Sequence, residues 1–572
     1  MGILKRVLQS LFLLFVFFTI DFSLFAKVSP DDYTKLPANI NFWSNYDNEI
    51  LAKAITERMS DEELLSQVLM FGWTGQRPGD LLKNWVSEVG LGSVKIFGWN
   101  TENLSNVALS VKELQKLAFD RPFKIPLFVA TDQEGGWIRH VKGDTSDTPG
   151  NLSIGASGYL TDAYYSSYYI NKEIKALGIN MNFAPSIDIY TDLNSSIIGP
   201  RSFGSDAEKV AALGEAFALG SSKAGVIATA KHFPGHGDTE IDSHGRLPQI
   251  NIDKETFEQR ELLPFKKLIQ SNVPAIMSGH LSFPQIDPSG APASLSKIML
   301  TDILRNQLGY KGLIITDDIM MNGASQYSTS VSRSFTLALQ AGNDIVMSSS
   351  TASLSDQMWT RNIQLLKTSP DFKKTVKEHV YRILLKKMEY FKSGNAAPLY
   401  PDENKISESI PDREGEKFFL DQSCRSTTLY RGQLPLDSSQ KRILLVGYYQ
   451  NFFSQGQAFF PSAQVYRFPN TLRQDLSNQA EYDAVTLKDT AASFSLIIVN
   501  VYDQHSARIA ESLKDSGKKI IILSTQSPVP VLNFDWADTI LLGYSYSKYS
   551  YQALFAALRG DYKPKGHFPL EK

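Results

Sequence analysis

The sequence predicts an α/β protein in two unequal parts, a (β/α)8 TIM-like barrel followed by a smaller α/β sandwich domain. Two observations predict it. Between about residues 60 and 350, eight short apolar, β-rich runs alternate with helical patterns, the rhythm of a parallel sheet with crossover helices. Beyond residue 416, four more such runs follow, again between helical stretches.

The barrel runs are 66–73, 92–98, 126–132, 180–185, 225–232, 274–280, 312–318 and 343–349. Most are continuously apolar, as expected of strands buried on both faces. The helical stretch 206–225 separates two of them, and 372–393 closes the region. The stretch 394–416 is polar and Pro-containing and reads as a linker. The second-domain runs are 441–448, 495–502, 518–524 and 539–545. No phosphate-binding glycine loop lies among them. The predicted division is therefore barrel 40–393, linker 394–416 and sandwich 417–572, in keeping with a chain of 572 residues.

Composition narrows the function. Charged residues make up 21% and the formal net charge is −2, so no field favours nucleic acid or an acidic membrane surface. The single cysteine, Cys424, permits no internal disulfide and no Cys-based metal site. At the N-terminus, Lys5 and Arg6 precede an uncharged apolar run to Ile20, with a small residue at Ala26. This reads as a secretory signal over residues 1–26, or an N-terminal anchor. The expected location is periplasmic or extracellular, with tethering to the inner membrane as the alternative.

Polar residues gather where the barrel runs end: Asp132, Pro185, Lys231 with His232, His280 and Asp317. In a barrel these ends meet at one mouth. The densest cluster is "KHFPGHGDTEIDSHG", residues 231–245, which holds three of the eight histidines. A metal site is one reading, with His232, His236, Asp238, Asp242 and His244 as ligands. Pro234, Gly235 and Gly237 exclude a regular helix presenting paired histidines. The other reading is acid–base work. In "DSH", Asp242 precedes His244 by two residues, and a carboxylate beside an imidazole favours the protonated ring as a proton donor. In "IITDDIMM", Asp317 and Asp318 end a strand and only one of them can face the mouth. An ionised Asp there can attack an electrophilic carbon or stabilise an oxocarbenium ion.

The segments 131–140 ("TDQEGGWIRH"), 182–189, 199–206, 231–244 and 315–321 resemble glycoside hydrolase family 3, and within it the bacterial β-N-acetylglucosaminidases. The resemblance spans about residues 45 to 390, and more loosely "GDYKPKGHFPL" at 560–570. It implies a retaining mechanism, with Asp317 as nucleophile, His244 as general acid and base, and Asp242 orienting His244. It implies that Asp132, Arg201, Lys231 and His232 hold the sugar, with no metal and no cofactor. His236 reads as a loop-shaping residue. One departure stands out. The family commonly has Arg eight residues after the Asp, whereas His140 stands there and Arg139 precedes it. Either Arg139 takes the sugar-binding role through a shifted loop, or the far subsite differs.

The expected activity is release of terminal β-linked N-acetylglucosamine from a glycan or muropeptide. A β-glucosidase-like hydrolase or a phosphorylase of the same family is an alternative, since a His that is neutral when acting as base repels phosphate less than a carboxylate does. A non-catalytic cell-wall sugar-binding protein and a metallohydrolase are the rivals from other classes. No nucleic-acid partner is expected.

Overall fold

The structure, a computed structural model, describes residues 30–571 apart from 196, 241, 242, 244, 437–441 and 470–476. The segment 1–26 read as a signal or anchor lies outside the described residues, as do Asp242 and His244.

All eight barrel runs form strands: β1 Leu69–Phe71, β2 Ser93–Ile96, β3 Phe128–Thr131, β4 Met181–Asn182, β5 Ile227–Phe233, β6 Ala275–Ser278, β7 Leu313–Thr316 and β8 Val346–Ser348. They pair in parallel in the order β8-β1-β2-β3-β4-β5-β6-β7. A parallel bridge between Ile315 and Ile345 joins the two ends of that order, closing the sheet on itself. The seam is held by Asp344, which accepts from Ile314 N at 2.9 Å and from Arg305 at 2.6 Å and Arg382 at 2.7 Å. Every residue of these strands is buried. That is why their sequences run apolar without alternation.

Strand β4 is only two residues long, and side chains supplement its ladder. Asn180 Oδ1 accepts from Val129 N at 2.8 Å, and Asn182 exchanges hydrogen bonds with the backbone of Gln133, both 3.0 Å. The helices that cover the barrel follow their sequence signals. Helix Ala207–Ala224 is capped by Asp206, which accepts from Glu208 N and Lys209 N, and ends at left-handed Gly225.

The second domain contains β9 Thr428–Arg431, β10 Ile443–Gly447, β11 Gln464–Arg467, β12 Leu496–Val501, β13 Lys519–Ser524 and β14 Thr539–Leu542. Its sheet runs β9-β14-β13-β12-β10-β11 and is parallel except for β9. Apolar clusters lie on both faces. The sequence reading found the four inner strands and missed the edge strands β9 and β11, whose residues are largely exposed or half-buried. The stretch read as linker also differs. Asp412 accepts from Glu414 N and Gly415 N and starts helix Arg413–Ser426, so the helix begins inside 394–416. That helix packs on the barrel: Arg425 pairs with Asp162 at 2.6 Å and Ser153 Oγ donates to Ser426 Oγ at 2.8 Å. Among the described residues, no helix is long and apolar enough to cross a membrane.

One buried cation bears on stability. Lys387, on helix Pro370–Phe391, donates to Gly92 O at 2.7 Å and Gln67 Oε1 at 3.2 Å beneath β1 and β2, and among the described residues no carboxylate pairs with it. Burial lowers its pKa from 10.5 to about 7. Between those two values the unfolded chain binds a proton that the folded chain does not. Stability therefore rises with pH in this window, by at most about 1.4 kcal/mol per pH unit from this group. Lys387→Met should remove that rise, seen as a smaller difference between unfolding midpoints at pH 7 and pH 9 than in the wild type.

Candidate active site

The mouth of the barrel is built on buried charge. Asp132 follows β3, and both of its oxygens are taken: Lys231 Nζ donates to Oδ1 at 2.6 Å and Lys95 Nζ lies 2.6 Å from Oδ2. Lys231, on β5, also lies 2.6 Å from Glu134 Oε1. Glu134 in turn receives Arg201 in a two-pronged pair, Nη2 to Oε1 at 2.8 Å and Nε to Oε2 at 3.0 Å. Burial opposes the charge on Asp132, Glu134, Lys231 and Arg201, and the pairing outweighs it. Against burial, Lys231 and Lys95 hold Asp132 well below the usual carboxylate range, and Arg201 and Lys231 hold Glu134 down. Against burial, Asp132 and Glu134 hold Lys231 up.

A second chain of contacts runs from Arg201 to Asp188. Arg201 Nη2 lies 3.3 Å from His232 Nε2, and His232 Nδ1 lies 2.7 Å from Asp188 Oδ2. A proton on Nδ1 satisfies Asp188 and leaves Nε2 to accept from Arg201. Asp188 also accepts from His232 N at 3.1 Å, His236 N at 2.8 Å and Ser186 Oγ at 2.9 Å. It thereby fixes the start of the loop that leads to Asp242 and His244. The same loop passes so close to Ile189 that a Cβ at Gly237 would sit 1.5 Å from the Ile189 carbonyl oxygen, which accounts for the second glycine of "GHG". His236 is buried beside His232, with Nε2 3.3 Å from Ser243 Oγ. The Lys231–His232 peptide is cis.

Asp317 ends β7, with its N–H donating to Ser278 O at 2.9 Å and its Oδ1 accepting from Asp318 N at 2.8 Å. Burial works against its ionisation, but the His232 and His280 rings, the Asp318 N–H and Lys95 outweigh it and bring the carboxyl down to about 2. Asp318 faces its own loop instead, accepting from Met320 N at 3.1 Å and Ser349 N at 3.0 Å. His280 supports the pair from below: Nε2 meets Asp318 O at 2.9 Å and Nδ1 meets Ser294 Oγ at 2.6 Å.

The structure thus gathers Asp132, Arg201, Lys231, His232 and Asp317 of the sequence-predicted set at one mouth. Arg139 is not among them. It points to the Thr145 and Ser146 carbonyls, at 3.2 and 2.7 Å, and to Asp147 at 3.8 Å. His140 takes the place beside Asp132, with Nδ1 3.6 Å from Oδ2. Three network members were missed from sequence: Lys95, Glu134 and Asp188. Each had a signal. Lys95 is a charge inside a continuously apolar run, where only a paired charge can stand, and Glu134 and Asp188 lie within the quoted motifs. Of the tryptophans near strand ends, Trp73 is buried, Trp137 lines a small cavity together with Gln526 and Tyr546 of the second domain, and Trp99 is 49% exposed and stacked on Phe97. Among the described residues, no three His, Cys, Asp or Glu side chains converge as metal ligands.

Comparison with known proteins agrees with this geometry. The glycosyl hydrolase family 3 N terminal domain matches residues 60–385. Beta-hexosaminidase A of Pseudoalteromonas piscicida is 34% identical over 281 residues, 46% of this chain and 47% of that protein. The chain therefore matches about half the length of that relative. A beta-hexosaminidase of Nitrosomonas eutropha is 32% identical over 279 residues, 47% of this chain and 77% of that protein. Among solved structures, a glycoside hydrolase family 3 beta-N-acetylglucosaminidase from Paenibacillus superposes with a TM-score of 0.80 at 27% identity, covering 90% of this chain and 99% of that one. A beta-glucoside phosphorylase shares the fold, with a TM-score of 0.78 at 22% identity over 94% of this chain and 99% of that one. With the barrel, the strand-end carboxylate and the charge network in place, the chain belongs to glycoside hydrolase family 3.

Proposed function

We infer that the protein is a retaining, exo-acting β-N-acetylhexosaminidase that releases terminal β-linked N-acetylglucosamine. The observation that carries this reading is Asp317: a half-buried carboxylate at the barrel mouth, kept ionised beside a cluster of paired, buried charges. The names of the relatives supply the sugar.

In the first step an Asp317 oxygen bonds to the anomeric carbon as the bond to the leaving oxygen breaks. His244, oriented by Asp242, gives its proton to that oxygen. In the second step His244 takes a proton from water, the water oxygen bonds to the anomeric carbon, and Asp317 is released as a carboxylate. Asp132, Lys231, Arg201 and His232 hold the sugar hydroxyls with the hydrogen-bonding capacity their mutual pairing leaves free. No step needs a metal. Residues 1–26 support export, to be checked by fractionation.

Three outcomes are expected. An aryl β-N-acetylglucosaminide is hydrolysed and the matching β-glucoside is not. Asp317→Asn lowers kcat by at least about 10³-fold while the protein stays folded, and the wild type yields a glycosylated Asp317 peptide when a slow substrate is trapped. Turnover of the glucoside alone would move the sugar preference within the family.

The pH dependence follows from Asp317. Its folded pKa of about 2 leaves it ionised above pH 4, so the nucleophile contributes no acid limb there. The alkaline limb of kcat/KM belongs to loss of the His244 proton and disappears in His244→Ala. An acid limb centred above pH 5 that vanishes on changing Asp317 would contradict this assignment.

Activity should be unchanged after prolonged incubation with a chelator, and adding phosphate should give no sugar phosphate.

A further inference from the structure

The hairpin after Asp132 places one more side chain in the site. Its strands are Gln133–Gly135 and Ile138–Arg139, and His140 N donates back to Asp132 O at 2.9 Å. The His140 ring therefore stands next to the Asp132 carboxylate. Its Nδ1 is buried, has no hydrogen-bond partner and lies 3.6 Å from Asp132 Oδ2. The side chain is 27% exposed, and because Nδ1 is buried beside Asp132, the open part of the ring lies away from that nitrogen. Phe97, itself stacked on Trp99 at 4.5 Å, packs against the ring at 5.6 Å. The His140 carbonyl accepts from Thr101 Oγ1 at 2.7 Å. A ring held this firmly has few other positions to adopt.

Its charge state follows from its neighbours. Burial, with Lys95 and Lys231 nearby, opposes protonation more than Asp132 and Glu134 favour it, and the pKa falls to about 4. The ring is neutral at ordinary pH. A neutral ring with Nδ1 facing a carboxylate oxygen keeps its hydrogen on Nδ1, because two lone pairs would otherwise oppose each other. Nε2 is then left with a lone pair toward the mouth. Asp132 cannot swing to meet it, since Lys95 and Lys231 hold both oxygens.

We propose that His140 is a specificity-determining residue: its Nε2 accepts a hydrogen bond from a hydroxyl of the terminal sugar, beside the hydroxyl that Asp132 takes, so that the pair reads two neighbouring hydroxyls on one sugar edge. This rests on the reading that the sugar lies against Asp132. Each of two neighbouring hydroxyls can donate its one hydrogen, one to Nε2 and one to the carboxylate. A carboxylate, sulfate or phosphate ester at that position has no hydrogen to give and meets a lone pair and a carboxylate, so the site selects sugars left neutral at that edge.

The test is a deoxy scan. Hydrolysis of an aryl β-N-acetylglucosaminide and its 3-, 4- and 6-deoxy forms is compared for the wild type, His140→Phe and His140→Gln. The wild type should lose about 10-fold or more in kcat/KM at the position His140 reads, the size of one hydrogen bond. His140→Phe should lose about 10-fold on the parent substrate, and its penalty at that one position should fall to about 1 while the others persist. His140→Gln, which keeps an acceptor, should recover part of both. Equal deoxy penalties in His140→Phe and the wild type would overturn the proposal and leave the ring a packing residue. If His140→Phe does not fold, the same ratios in His140→Gln decide: penalties identical to the wild type at every position together with an unchanged parent rate overturn it. If the wild type cleaves only glucosides, the sugar reading has failed, and the deoxy-glucoside series runs the same test. If it cleaves neither, calorimetry of N-acetylglucosamine and its deoxy forms with wild type and His140→Phe decides, and absence of binding overturns both readings.

Discussion

The run of ion pairs from Lys95 through Asp132, Lys231 and Glu134 to Arg201 is the constraint on which the rest of the mouth depends. Lys231 is 1% exposed and Glu134 2% exposed. Charges this deep stand only when each is paired on several sides, because desolvation costs several kcal/mol per ion. The chain meets that demand by alternation, cation to anion to cation, with the bidentate Arg201–Glu134 pair as its most directional link. The network is also a splint. It ties β2, β3 and β5 to the loop that carries Arg201. Removing any one member strands a partner, so these positions tolerate substitution less than the apolar core around them.

Neighbouring groups also keep the half-buried Asp317 carboxylate ionised: chiefly the His232 and His280 rings, then the Asp318 N–H, with Lys95 of the network contributing last. Asp317 is thus held charged by groups that other contacts hold in place. Groups fixed in this way lose little freedom on binding a sugar, and fixed dipoles aimed at a reacting centre need no reorganisation during the reaction. Asp188 does equivalent work on the other side. One carboxylate accepts two backbone N–H groups and a ring, and so couples the His232 ring to the path of the following loop.

The barrel strands were legible because burial on both faces leaves an unbroken apolar run, and eight such runs at helical spacing leave few other architectures. The edge strands β9 and β11 were not, because a strand with exposed positions carries no such run, as Gln464–Arg467 illustrates. The hairpin after Asp132 was missed for a related reason. Its strands are three and two residues long, below the length at which alternation can be seen. At the site, strand-end position identified Asp132, Lys231, His232 and Asp317. It could not identify Lys95, which lies within β2, or Asp188, whose role is to hold other residues. Partnership between distant segments is a property of the fold and leaves only an indirect trace in the sequence: a charge where the pattern calls for a hydrophobe.

The order Arg139–His140 shows how far such a trace can be followed. Consecutive residues on an extended strand face opposite sides, so only one of the two can address Asp132. The structure gives that place to His140 and turns Arg139 outward to the Ser146 carbonyl and Asp147. Asp147 in turn accepts from Lys548 N at 3.1 Å and Asn451 Nδ2 at 3.4 Å, both in the second domain. Trp137, at the tip of the same hairpin, lines a small cavity with Gln526 and Tyr546 of that domain. One five-residue turn therefore supplies a ring to the sugar site and a guanidinium and an indole to the domain interface. A shift of one residue along the hairpin would exchange Arg139 and His140 between those two faces. The contacts with the second domain oppose such a shift, which gives that domain a part in shaping the site.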